Sequence, residues 1–266
     1  MSGILHESAG AVNKTLNLTG VTCNANLWLN FQVDGTIGVN SGNVTLWKDS
    51  VSNVNITPDE TSRPPILDAS VTLNGHSTIK FYCLNPLESR LSHRVYSSLS
   101  NILLTLPTNT QKTIITSMLL KFNTHVQQSL NQLKTNIQMG DMAASYPHYD
   151  TRKHFTLKTS DKFFVLVDTD ISDGAWHLVT REVRYDDGDN TRFIWYIDGV
   201  LVLSEPVAGA SSYSNPTDIF VGAGNPASNP YGMDANCGCV MVFGDTNFTK
   251  DDHFNLYEII KARYGL

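Results

Sequence analysis

The chain has 266 residues, a formal net charge of −6 and a sequence pI near 5.7, a balance that excludes broad phosphate recognition by clustered Lys and Arg. Nucleic acid is therefore not an expected partner. Only 17% of the residues are charged, while Asn, Ser and Thr are abundant, which suits strands and polar turns better than surface helices.

Residues 1–22 are polar without firm periodicity and read as an N-terminal arm or an edge strand, ahead of a single domain over 23–266. From Asn26 to Val33 and from Val44 to Val51, Trp and β-branched residues alternate with polar ones, as in half-buried strands. A turn-rich connector covers Thr57 to Pro65, and a strand over Ser77 to Cys83 is entered through Asn74-Gly75. Ile102 to Leu106 is an apolar patch closed by Pro107, and Thr113 to Phe122 suits a fully buried strand. Next, Val126, Leu130, Leu133 and Ile137 fall on the stripe of an amphipathic helix, so a short helical insertion is expected within about 123–155, with a two-strand excursion as the alternative.

Strands resume at Phe163 to Asp168. Trp176-His177-Leu178-Val179-Thr180 starts another strand, which leads to an acidic turn, Asp186-Asp187-Gly188-Asp189-Asn190. Phe193 to Ile197 and Val200 to Leu203 are then joined by Asp198-Gly199 alone. Such a two-residue link suits a type I′ hairpin, in which both central positions need positive φ. Strands over Asp218 to Ala223 and Cys239 to Phe243 follow. Thr249-Lys250-Asp251-Asp252 then opens a near capping box for a helix through Ile259 and Ile260 to Arg263.

The hairpin and its preceding strand resemble the Trp-His … Tyr-x-Asp-Gly-x-Leu signature of laminin G-like jelly rolls, within the concanavalin A-like lectin/glucanase superfamily. Trp28, Trp47-Lys48-Asp49-Ser50, Arg63-Pro64, Asn74-Gly75, Ile79, Phe81, Val240 to Phe243 and the final helix are similar to that pattern in the same order. The resemblance implies an all-β, two-sheet antiparallel jelly-roll sandwich with a short inserted helical segment and a C-terminal helix. Domains that look like this recur among phage virion proteins. It therefore also implies a non-enzymatic capsid-decoration, tail or fibre component, in a homo-oligomer or symmetric array with other virion proteins and in contact with host glycans. A carbohydrate-binding lectin and a degenerate glycoside hydrolase are the alternatives, because this fold hosts all three.

The Glu-x-Asp-x-x-Glu triplet of the superfamily's glucanases does not occur, and retaining and inverting glycosidases both need a carboxylate pair. Neither a Gly-x-Ser-x-Gly elbow nor a His-Glu-x-x-His helix is present. His177 beside Trp176 is read as structural. Calcium is the one candidate cofactor, with Asp186, Asp187 and Asp189, or Asp234 with Asn236, as rim oxygens. Asp168 to Gly174 only superficially resembles an EF-hand loop, since Val179 stands where a bidentate Glu is needed. For carbohydrate, the loop Asn225 to Asn236 offers Tyr231 for stacking and Asn229, Asp234 and Asn236 for hydrogen bonds.

Cys237 and Cys239 are expected on one face of a strand as buried thiols, and four scattered cysteines do not make a disulfide scaffold. The five sequons at Asn13, Asn17, Asn43, Asn55 and Asn247 are glycan acceptors only in a secretory lumen. No run reaches the length of a membrane span, and the first residues lack a signal pattern. Synthesis in the host cytoplasm and a final place in the virion are the expectations.

Overall fold

The computed structural model describes residues 18–21, 27–30, 37–49, 51, 55–58, 64–81, 95–98, 113–122, 135–139, 142–145, 156–158, 163–165, 171, 173–186, 190–208, 218–222, 232–244 and 248–266. Several of the shorter strands are described by their backbone alone.

Seventeen strands and one helix are described. The first group is β1 (Leu27–Asn30), β2 (Ile37–Asn40), β3 (Asn43–Lys48), β4 (Asn55–Ile56), β5 (Ile66–Leu73), β6 (His76–Phe81) and β7 (Val95–Ser98). The middle group is β8 (Ile114–Phe122), β9 (Thr135–Met139), β10 (Met142–Ser145), β11 (Thr156–Lys158) and β12 (Phe163–Val165). The last is β13 (His177–Asp186), β14 (Asn190–Ile197), β15 (Val200–Ala208), β16 (Asp218–Val221), β17 (Ala235–Gly244) and α1 (Lys250–Tyr264).

These strands form two antiparallel sheets. The larger, of eleven strands, runs β15-β14-β13-β8-β17-β6-β5-β3-β2, with β1 added to β17 and β4 to β3. The smaller, of six, runs β12-β11-β10-β9-β16-β7. The main core lies between them, where Trp47, Phe81, Met118, Trp195 and Val240 of the large sheet meet Ile219 and Val221 of β16. The opposite face of the large sheet buries Ile115, Leu119, Leu178, Met241 and Phe243 under Leu256, Ile260 and Tyr264 of α1. Central strands covered on both faces read as continuous apolar runs, which is why β8 and β17 show no alternation in sequence.

Local chemistry sets the turns. Asp198 and Gly199 have φ of +52° and +74°, as the type I′ link requires, and Asn74 with Gly75 repeats the geometry at +48° and +80°. Thr249 caps α1 through a complete capping box with Asp252. Leu18 packs under the helix, and Asn255 donates to the Gly20 carbonyl at 2.7 Å, so the end of the N-terminal arm is docked.

Two sequence expectations are corrected. Ile137, the last residue of the helical stripe, lies in β9, and β9 with β10 makes the two-strand excursion; Val126, Leu130 and Leu133 lie outside the described residues. Cys237 and Cys239 are both buried free thiols, but on opposite faces: Cys237 in the inter-sheet core and Cys239 under the helix. The register against β8 slips between them, leaving Gly238 as the extra residue of a β-bulge. A Cβ at Gly238 would meet Leu73 Cδ1 at 2.7 Å and Leu119 Cδ2 at 2.8 Å, so the bulge needs glycine. Ile102 to Leu106 lie outside the described residues.

Candidate functional site

The rim where β13 begins and the β14–β15 hairpin turns back holds a cluster of three ionisable groups. His177 Nδ1 lies 2.7 Å from Asp198 Oδ2, and its Nε2 lies 3.1 Å from Asp173 Oδ1. Asp198 Oδ1 also accepts from the Leu178 amide at 2.8 Å, while the Asp198 amide donates to the Leu178 carbonyl at 3.0 Å. The hairpin tip is thus stitched to the first residues of β13. Asp173 Oδ1 in turn accepts from the Ala175 amide at 2.8 Å, which holds the preceding turn. The Trp-His and Asp-Gly parts of the signature are therefore two halves of one contact.

Both nitrogens of His177 face carboxylate oxygens that only accept, so both carry hydrogens and the ring is an imidazolium in this arrangement. Burial lowers its pKa, but the hydrogen bonds and charges of Asp198 and Asp173 outweigh that and leave it above 6.5. The Asp173 carboxyl is held below its ordinary value by the Ala175 amide and then by His177. A raised folded pKa gives stability that is complete below the unfolded value and is lost as pH rises through the folded one. The melting temperature of the wild type is expected to fall relative to His177→Gln as pH rises above the ordinary histidine value of about 6.5. Parallel melting curves across that rise would contradict the imidazolium clamp.

A second polar cluster braces α1. Glu182, fully buried on β13, accepts from Arg184 Nε at 2.6 Å and contacts His253 Nε2 at 3.0 Å. The His253 ring stacks on Tyr196 at 3.7 Å, and Arg184 Nη2 donates to the Phe248 carbonyl at 2.6 Å just before the helix cap. Burial pushes the Tyr196 phenol up, and the Glu182 charge adds to it. On the other face of β13, Arg181 is buried in the inter-sheet core. Its guanidinium lies 5.3 Å from the Trp195 ring centre, and burial lowers its pKa to about 9.

The ligand and metal candidates fall as follows. Asn236 is not in a loop but in β17, fully buried, with its amide donating to Asp68 Oδ2 at 3.0 Å and Thr78 Oγ1 at 2.9 Å. It therefore supports the sheet from beneath. Asp234 is half-buried just before that strand, and Asn229 and Tyr231 lie outside the described residues. Asp186 ends β13 opposite Asn190, with only its backbone described, while Asp187 and Asp189 lie outside the described residues. Among the described residues no group of three or more His, Cys, Asp or Glu is arranged to hold a metal ion. Sequence reading missed Asp173 and Asp198 as partners of His177. An Asp in a tight turn next to a strand that opens on His is the signal that marks them.

No family model matches the chain, and no curated protein matches it. Among solved structures it is similar to the receptor-binding domain of botulinum neurotoxin mosaic serotype C/D, at TM-score 0.58 and 15% identity, over 88% of this chain and 51% of that one. It is also similar to a botulinum neurotoxin type C structure described by cell entry dependent on two ganglioside molecules, at TM-score 0.52 and 16% identity over 84% and 50%. A Trypanosoma rangeli sialidase bound to a difluoro-KDN matches at TM-score 0.52 and 10% identity, over 87% of this chain and 32% of that chain. The chain spans about half the length of the neurotoxin chains it matches. At these identities the likeness is one of fold, an antiparallel β jelly roll.

Proposed function

We propose that this chain is a non-enzymatic structural component of a phage virion, decorating the capsid or forming part of a tail or fibre, and that its exposed face contacts host-surface glycan. The observation that carries the reading is where its ionisable residues are spent. His177 clamps the signature hairpin, and Glu182 with His253 braces the helix. These are the groups that a hydrolase would keep free as acid, base or nucleophile. The fold supports attachment too, since a neurotoxin structure that shares it is described by its interaction with gangliosides. The same likeness favours a carbohydrate-binding lectin as the second reading. Repeated copies in a symmetric array turn weak single contacts into firm attachment. The reading is tested by a peptide census of purified phage particles, in which this chain must be a stoichiometric component.

A further inference from the structure

On the helix-bearing face of the large sheet, beyond the residues under α1, four neighbouring strands align one row of side chains. Asn236 of β17 opposes Lys80 of β6 on one side and Lys121 of β8 on the other. His177 opposes Leu120, which brings Trp176 level with Lys121. Alternation settles the face: Ile79, Phe81, Leu120, Phe122, Ala235 and Cys237 point into the inter-sheet core, so Lys80, Lys121 and Asn236 point away from it. Trp176 packs at the margin of the cluster beneath the helix. Neighbouring strands lie about 4.8 Å apart, so the row from Lys80 to Trp176 spans about 15 Å. Lys80, Lys121 and Trp176 are each partly exposed, and Asn236 is fully covered.

The floor of this row is built and rigidly bonded. Between Asp68 and Thr72 the register of β5 slips against β6, so residues 69–71 bulge out of the ladder with no opposite residue on β6. Asp68 Oδ1 holds the bulge by accepting from the Ser70 amide at 2.9 Å and the Ser70 hydroxyl at 2.6 Å. Thr78 Oγ1 donates to the Val71 carbonyl at 2.9 Å, and the Asn236 amide ties Thr78 to Asp68. Burial pushes the Asp68 carboxyl up, but Ser70, Asn236 and the Lys80 charge outweigh it and hold it below its ordinary value. Lys80 thus balances Asp68. No carboxylate among the described residues pairs with Lys121, on a chain whose net charge is −6.

We infer that the Lys121–Trp176 end of this row is a subsite for a pyranose bearing one carboxylate, with Lys121 taking the acid and Trp176 covering the apolar face of the ring, while the Asp68–Ser70 bulge at the other end of the row meets hydroxyls of the adjoining sugar. One uncommitted cation beside an aromatic ring matches a singly charged sugar. A polyanion would instead be repelled by the acidic remainder of the chain. The inference rests on the glycan-contact part of the proposed function and names the class of sugar for it.

The test is calorimetric titration of the full chain with sialyllactose, oligogalacturonate and neutral lactose, repeated for Lys121→Met and Lys121→Arg. One of the two acidic sugars is expected to bind about tenfold more tightly than lactose and to weaken as salt is raised. Lys121→Met removes about tenfold of that affinity while the melting temperature stays unchanged, and Lys121→Arg restores it. Lactose binding as tightly as both acids, or Lys121→Met binding like the wild type, overturns the subsite and leaves glycan contact standing. Failure of every sugar to bind overturns the subsite and the glycan contact together, while the virion role is then decided by the particle census.

Discussion

Replacing Glu182 by Ala is expected to cost about 3–5 kcal/mol of folding stability, the range for removing one partner of a buried ion pair. The carboxylate is wholly buried between β13 and α1, and it is the acceptor for Arg184 and the contact of His253. Its loss leaves an imidazole stacked on Tyr196 with no carboxylate opposite and loosens the Arg184 side chain that holds the Phe248 carbonyl at the helix start. Because Tyr264, Ile260 and Leu256 cover Ile115, Leu119, Leu178, Met241 and Phe243 on one face of the large sheet, weakening the helix dock exposes apolar area well beyond the polar cluster itself. Urea unfolding measures the change. A loss below about 1 kcal/mol would mean that the cluster is incidental to docking.

The second large effect concerns the glycine of the signature hairpin. Gly199 sits at φ +74°, and a Cβ there would stand 3.0 Å from Phe254 Cα, 3.2 Å from Tyr257 Cβ and 3.4 Å from the His253 carbonyl. Two of those three atoms are helix backbone, which cannot swing away. Gly75 offers an internal comparison, with φ +80° and nothing within 4 Å of its Cβ position. Gly75→Ala pays only the conformational strain, about 1 kcal/mol. Gly199→Ala adds overpacking against the helix and is expected to cost about 2–4 kcal/mol. Equal losses in the two variants, by thermal or urea unfolding, would show that the hairpin tip does not press on α1.

These two positions also mark how far the sequence could be read. The Asp198-Gly199 and Asn74-Gly75 turns are legible because positive φ at adjacent residues is a local demand that only a few side chains meet. The capped helix is legible for the same reason, since Thr249 and Asp252 are three residues apart. What α1 covers is a matter of long-range pairing, and nothing near Gly199 in sequence announces the helix that touches it. The faces of Cys237 and Cys239 were misjudged because strict alternation fails at the Gly238 bulge, where any side chain would crowd Leu73 and Leu119. Of the helical stripe only Ile137 falls on described residues, and there pairing with β10 and β16 decides in favour of a strand, a long-range contact that the local period does not announce.

The site was legible in smaller part. His177 stood out beside Trp176, but its two carboxylates are four and twenty-one residues away, and only the fold brings them to both ring nitrogens. Asn236 was placed in a loop because polar residues precede it. β17 begins one residue earlier, and the Asn236 amide is bonded to Asp68 of β5 and Thr78 of β6, 168 and 158 residues away in sequence. The row of Lys80, Lys121 and Trp176 has no sequence signature, because it is assembled by register across four strands.

The most direct measurement of the central claim is a quantitative peptide census of purified phage particles, run beside the oligomeric state of the isolated chain. The account predicts peptides of this chain in every particle preparation, in a fixed ratio to the capsid or tail protein. Particles that lack the chain, together with a purified protein that stays monomeric, would contradict it.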